Sequence, residues 1–393
     1  MTIPPTPQLN SAAVGSEEPF QTEQVLTIVG GHFIHDLFTG MQSTLLPLLR
    51  EKFLLSYTQG AILAAILEFP NIISPLIGYL ADRISLRYLV IFAPLVTGLA
   101  VSLIGIAPSY GILLGLLFVA GISTAAFHAP SPVMIGRISG KQLGRGMSYF
   151  MAGGELGRAL APPMVIWAVG VWTLEGTYRL ALISALASAM LYWRLRSIPA
   201  RSDKVPSLMV AIPQLRRLFL PMIFVILLRS FPTFAILSFL PTYLTEHGLL
   251  LEKAGWVFSI YQFAGVAGAL IAGPISDRFS RKRVLFVATI ANSLLMLAFL
   301  QTQMGVLMVS LLIGMGLTMK SASPVLLAMV QNYMPDNRAT ANGIYLALTF
   351  VSRPLAGIMI GLFSDAVSLP MAFLISAMLP LLSLPAIFLL PRS

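Results

Sequence analysis

About twelve stretches of roughly twenty apolar residues, parted by short polar turns, leave this chain very few ways to fold. They cover residues 24–49, 56–80, 88–106, 110–137, 143–171, 177–196, 218–244, 253–276, 284–302, 305–333, 339–363 and 368–390. Backbone inside a bilayer finds no water for its N–H and C=O groups, so each stretch must satisfy them internally as a helix. Hydrophobic residues make up 57% of the 393 positions and charged residues only 10%, which places most of the apolar surface against lipid. The expected class is an all-α membrane protein.

The helices repeat. Gly78-Tyr79-Leu80-Ala81-Asp82-Arg83, followed by Arg87, returns as Gly273-Pro274-Ile275-Ser276-Asp277-Arg278, followed by Arg281, Lys282 and Arg283. The copies lie roughly 195 residues apart, half the chain, as a duplicated helical unit requires. Ser131-Pro132 recurs as Ser323-Pro324, Arg145 as Arg338, and Arg158 near Arg353, all at almost one spacing. The expectation is twelve transmembrane helices in two pseudo-symmetric six-helix bundles. Its parts are a disordered tail over 1–22, an N-terminal bundle over 23–196, a surface linker over 197–217 and a C-terminal bundle over 218–393. Two half-bundles around a midplane site are the build of a secondary transporter.

The net charge of +10 does not call for nucleic acid. With the N-terminus in the cytoplasm, most Lys and Arg fall on cytoplasmic loops, while only Arg50, Lys52, Arg179 and Lys253 fall on the other side. The excess is a topology signal, and both termini are expected inside. No cysteine is present, and the four histidines lack any metal-ligand spacing, so no metal or cofactor is expected. No nucleophile–base set or sizeable soluble domain points to an enzyme.

The paired Asp-Arg turns, between spans two and three and spans eight and nine, resemble the Gly-x-x-x-Asp-Arg-x-Gly-Arg-Lys loop motif of the major facilitator superfamily. Ser85 and Ser280 replace its second Gly, and Leu86 replaces a cation in the first copy. The resemblance covers the chain from about residue 24. It implies an inner gate at Asp82, Arg83, Asp277 and Arg278, and a monomer. A narrower resemblance, to the fosmidomycin-resistance branch of that family, rests on Gly31-His32-Phe33-Ile34-His35-Asp36 and on Phe127-His128. The branch reads Phe-His-Pro-Glu at the second place; here Phe127-His128-Ala129-Pro130 lacks the Glu, so no role of that Glu is carried over. The resemblance implies drug export in exchange for protons, in a bacterial inner membrane.

Charges at membrane depth are costly unless paired or facing a cavity, so they are the candidate functional groups. His32 and Asp36 are one helical turn apart and share a face, where a His–carboxylate pair can load and release a proton. The proton-coupling candidates are Asp36, His32, His128 and Glu68; a buried polar clamp is the alternative, with His35 the most structural of the three residues in span one. Glu155 and Arg158 in span five either neutralise each other or face substrate. In the C-terminal half, Arg229, Lys320 and Arg353 fall near mid-span with no acid at equal depth. They pair with acids of the other half, or they bind an anionic substrate, since a guanidinium matches two oxygens of a carboxylate, phosphate or phosphonate.

Gly146, Gly153 and Gly157 match the spacing of an antiporter motif of this family, with Arg158 where its Pro stands. Small residues at that spacing also serve plain helix packing. The expected function is proton-coupled efflux of a small anionic or drug-like solute by alternating access. The alternatives are a proton-coupled importer of an organic anion and, further off, a non-transporting sensor or lipid-handling protein.

Overall fold

The computed structural model describes residues 20–74, 76–77, 86–196, 212–303, 305–333 and 338–391. The chain runs as α1 (Thr22–Phe53), α2 (Tyr57–Glu68), α3 (Arg87–Ser102), α4 (Tyr110–His128), α5 (Ser131–Ile138), α6 (Leu143–Trp172) and α7 (Ala181–Leu195) in the first half. The second half holds α8 (Ile212–Glu246), α9 (Leu251–Arg278), α10 (Arg281–Leu300), α11 (Val306–Tyr333), α12 (Arg338–Ala366), α13 (Leu369–Met378) and α14 (Leu384–Leu389). Each of α4/α5 and α13/α14 is one span interrupted near a proline, Pro130 and Pro380, where a backbone donor is lost. Counted this way, the described helices make six segments in each half, with α2 continuing beyond the described residues.

Among the described residues, eight helices are long and apolar enough to cross a membrane. The segments Arg145–Trp172 and Glu175–Leu195 form a further pair whose axes bend by 119°, turning the chain back on itself. Helix α1 falls short on hydropathy because His32, His35, Asp36 and Gln42 interrupt it, yet its 32 residues reach about 48 Å at 1.5 Å each. The continuation of α2 beyond Ile77 lies outside the described residues, as do Asp82 and Arg83. Residues 1–19 and 197–211, most of the expected tail and linker, also lie outside them.

Trp167, Leu182, Trp193, Leu220 and Val287 are each more than half exposed on the outer surface, where lipid replaces water as their solvent. Inside, Phe38, Met41 and Leu45 of α1 join Phe234, Phe239 and Leu240 of α8 and Phe258 of α9 in one core shared by both halves. The seams between the halves are α2 against α12, α6 against α9, and α1 against α8. Ser259 on α9 donates to the Ala159 carbonyl on α6 across one of them.

One face of the molecule is tied across the halves. Arg50 at the end of α1 pairs with Glu246 at the end of α8 at 2.5 Å, and Tyr57 Oη donates to the other Glu246 oxygen at 2.7 Å. The Asp365 carboxylate, at the end of α12, accepts from the Tyr57 and Thr58 amides at 2.7 and 2.8 Å. Those amides are among the donors that the first turn of α2 cannot satisfy internally. Ser56 caps the same turn through a reciprocal pair with Gln59. On the expected topology this tied face is the outer one.

Candidate proton and substrate site

The site begins with a close approach of two helices. A side chain on Gly157 of α6 would strike the Phe33 carbonyl of α1, and one on Gly154 would strike His32 Nε2 and Asp36 Oδ2. Glycine at both places lets α1 lie directly on α6 and sinks the polar face of α1 into the bundle. Asp36 is fully buried there, and His32 is 3% exposed.

Three groups converge on the Asp36 carboxylate. His32 Nε2 stands 3.2 Å from Oδ2, and His128 Nε2 stands 3.2 Å from Oδ1. Arg158 Nη1 donates to Oδ2 from α6. His32 Nδ1 lies 2.7 Å from the Phe150 carbonyl oxygen of α6, and its ring stacks on Phe150 with centroids 4.0 Å apart. His35, fully buried, stacks on Phe127 at 4.7 Å, and neither of its ring nitrogens has a hydrogen-bond partner among the described residues.

From Asp36 the charges run on towards the other half. Arg158 reaches Glu155 Oε1 through Nη2 at 2.7 Å. The second Glu155 oxygen lies 3.3 Å from Lys320 Nζ on α11. Asp36, Arg158, Glu155 and Lys320 thus form an alternating ionic chain that starts in α1 and ends in the C-terminal half. A second bridge joins the halves, Arg353 on α12 to Glu68 at the end of α2, at 2.6 Å. The side chains of Glu68, His128, Arg158 and Arg353 are 22%, 26%, 30% and 26% exposed, whereas Asp36 and His32 are buried.

The structure therefore decides the pairing of two cations whose partners the sequence left open: Lys320 and Arg353 both meet acids of the N-terminal half. Arg229 does not. It is buried on α8, where Nη1 donates to Thr289 Oγ1 at 2.9 Å and Nη2 to the Met319 carbonyl at 3.1 Å. No carboxylate contacts it among the described residues. Three carboxylates (Asp36, Glu68, Glu155) thus face three cations (Arg158, Lys320, Arg353), and Arg229 leaves one positive charge over when the histidines are neutral.

His32, Asp36 and His128 offer ligand atoms within 4.8 Å of one another, a spacing that could hold a metal ion. The Arg158 guanidinium already bonds the shared carboxylate, so a divalent cation there would face a fixed positive charge at contact distance. Of the expected gate residues, Arg278 ends α9 as an exposed side chain; nothing is described for the side chain of Asp277, or for Asp82 and Arg83.

Sequence reasoning passed over Phe150, which acts through its backbone carbonyl, and Thr289 and Met319, which hold Arg229. The clue to Phe150 was its place one turn before Gly154 in a helix rich in small residues. Nothing in the sequence marks Thr289 or the Met319 carbonyl.

The Major Facilitator Superfamily model matches residues 28–254 and 222–393. The fosmidomycin resistance protein of Escherichia coli K12 is 25% identical over 371 residues, covering 91% of this chain and 90% of that protein. A probable sulfoacetate transporter of Cupriavidus necator is 27% identical over 290 residues, covering 64% of this chain and 66% of that protein. Among solved structures, an inward-facing, occupied bacterial homologue of the human lysosomal transporter Spinster superposes with a TM-score of 0.79 at 14% identity. That match covers 95% of this chain and 97% of the other.

Proposed function

This chain belongs to the Major Facilitator Superfamily and is an integral membrane transporter resembling the fosmidomycin-resistance branch, and on that premise we propose proton-coupled efflux of a small organic anion. The observation that carries the reading is the ionic chain from Asp36 through Arg158 and Glu155 to Lys320. A proton placed on the Asp36 site weakens its hold on Arg158. Arg158 then leans on Glu155, and Glu155 loosens from Lys320. One proton in the N-terminal half thereby alters a contact between the halves, which is what coupling needs.

The substrate is an anion on this reading because Arg229 meets no carboxylate among the described residues, and its guanidinium carries more donors than its bonds to Thr289 and the Met319 carbonyl use. Sulfoacetate, named for one relative, carries a sulfonate and a carboxylate, the chemistry a guanidinium matches. The likeness to the Escherichia coli fosmidomycin resistance protein supports export as the direction. The termini lie in the cytoplasm by the distribution of Lys and Arg, and the protein acts as a monomer in a bacterial inner membrane.

The surplus positive charge also favours a second reading, import by symport. A proton on the Asp36 site raises the positive charge of the cluster and so strengthens anion binding, which favours carrying both together. Flux of phosphonates, sulfonates and carboxylates in proteoliposomes under an imposed pH gradient separates the two. Antiport moves the solute against the proton flow, symport moves it along. Accumulation of hydrophobic cations with no response to anions would overturn both.

A further inference from the structure

The two histidines on Asp36 are not equivalent. A carbonyl oxygen only accepts, so the 2.7 Å contact with Phe150 fixes the proton of His32 on Nδ1. In neutral His32 the Nε2 lone pair then faces the Asp36 carboxylate at 3.2 Å, acceptor against acceptor. Among the described residues, buried His32 Nε2 thus has no hydrogen bond in the neutral form, a state that asks for an explanation in a membrane interior. One added proton supplies it, giving His32 two donors, one for Phe150 and one for Asp36. His128 has no such tether. It ends α4 at the Ala129-Pro130 break, is 26% exposed, and touches the other oxygen of the same carboxylate.

We propose that His128, the more exposed of the two, is the port by which a proton passes between solvent and Asp36, and that His32 is the buried station where it is held. A hydronium ion from solvent protonates His128 on Nδ1, and Nε2 passes its proton to Asp36 Oδ1. Neutral Asp36 lets go of Arg158 and turns about its Cβ–Cγ bond, so that the protonated oxygen faces His32 Nε2 and yields its proton there, while His128 returns to its starting tautomer by exchange with water. One proton enters and the cluster gains one positive charge; release reverses each step. The groups facing the station are Asp36 and His35 on α1, His128 on α4 and Arg158 on α6, with Glu155 and Lys320 behind Arg158. Arg158 stays charged throughout and sets the attraction that the arriving proton must work against. His35 has no partner for a charged ring and stays neutral.

The inference rests on the proton-coupled reading, and one experiment separates their failures. Full-length protein in proteoliposomes is assayed for anion-dependent proton movement as wild type, His128→Gln and His32→Gln, each with and without imidazole in the buffer. Wild type moves protons. His128→Gln slows that movement roughly 10²-fold, the scale of losing a positioned acid–base group, and imidazole restores much of it because the port opens on solvent. His32→Gln loses the coupled movement and is not restored, because its site is closed to solutes. The His128 arm decides the matter even if His32→Gln does not fold. Full speed in His128→Gln without imidazole, or slowing that imidazole does not relieve, overturns the port. Full coupling in a folded His32→Gln overturns the station. A wild type that moves anions without protons overturns the proton-coupled reading itself.

Discussion

Asp365→Ala should loosen the tied face by an amount that can be worked out from its contacts. The Asp365 carboxylate accepts two amide hydrogen bonds, at 2.7 and 2.8 Å, from the exposed first turn of a helix in the opposite half. Losing an N-terminal cap costs about 0.5–2 kcal/mol, and losing a negative charge beside the helix dipole about 0.3–1 kcal/mol. Solvent screening at this exposed position keeps the total near the lower end, about 1 kcal/mol. That is roughly a fivefold shift in the equilibrium between the tied and opened forms. Asp365→Asn can still accept one bond and should show about half the effect in free energy. The chain contains no cysteine, so spin labels can be placed without a background thiol. Leu54 and Leu250 are 88% and 67% exposed, one in each half and both close to the tied face. Labels at Leu54→Cys and Leu250→Cys report the separation by pulsed electron paramagnetic resonance. Asp365→Ala should move population from the short to the long distance about fivefold. An unchanged distribution, from a wild type that shows both distances, would refute the latch.

Further perturbations reach the interior. Glu155→Gln removes the acid shared by Arg158 and Lys320; anion KM should fall several-fold while the number of protons moved per anion drops, and an unchanged KM counts against substrate contact by those cations. Arg229→Lys keeps the charge but cannot reach both Thr289 and the Met319 carbonyl; the loss of a charge-assisted bond, about 1.5 kcal/mol, should raise anion KM roughly tenfold. Equal KM values in the two proteins would remove Arg229 from the substrate site. Gly154→Ala drives a methyl group into His32 and Asp36; overpacking of this kind costs about 1–3 kcal/mol, so the melting temperature in detergent should fall and coupled flux with it. A melting temperature at the wild-type value would show that α1 and α6 do not pack this closely.

The spans and their doubling were legible because apolar length and the repeated Asp-Arg turns are local signals that need no tertiary knowledge. Candidate charges were legible for the same reason, since a Lys320 or Glu155 inside an apolar run stands out on its own. Their pairing was not. Lys320 meets Glu155 across 165 residues and Arg353 meets Glu68 across 285, and single-sequence patterns carry no information at that range. The cation excess of the C-terminal half, read in isolation, resembles three free ligands for substrate; packed against the first half, only Arg229 keeps that character. Backbone groups were hidden altogether. The Phe150 carbonyl and the amides of Tyr57 and Thr58 act through atoms common to all residues, so only a solved geometry marks them. The Asp365 latch left a fainter trace, an acid at the end of one span opposite a Ser-x-x-Gln start of another.

The most direct measurement of proton coupling through Asp36 follows solute and proton movement together in proteoliposomes, comparing wild type with Asp36→Asn. Wild type should drive an anion uphill at the expense of a pH gradient with a fixed number of protons per anion. Asp36→Asn should fold and still bind the anion, yet fail to accumulate it against its gradient. Uphill transport by Asp36→Asn at the wild-type proton ratio would contradict the account.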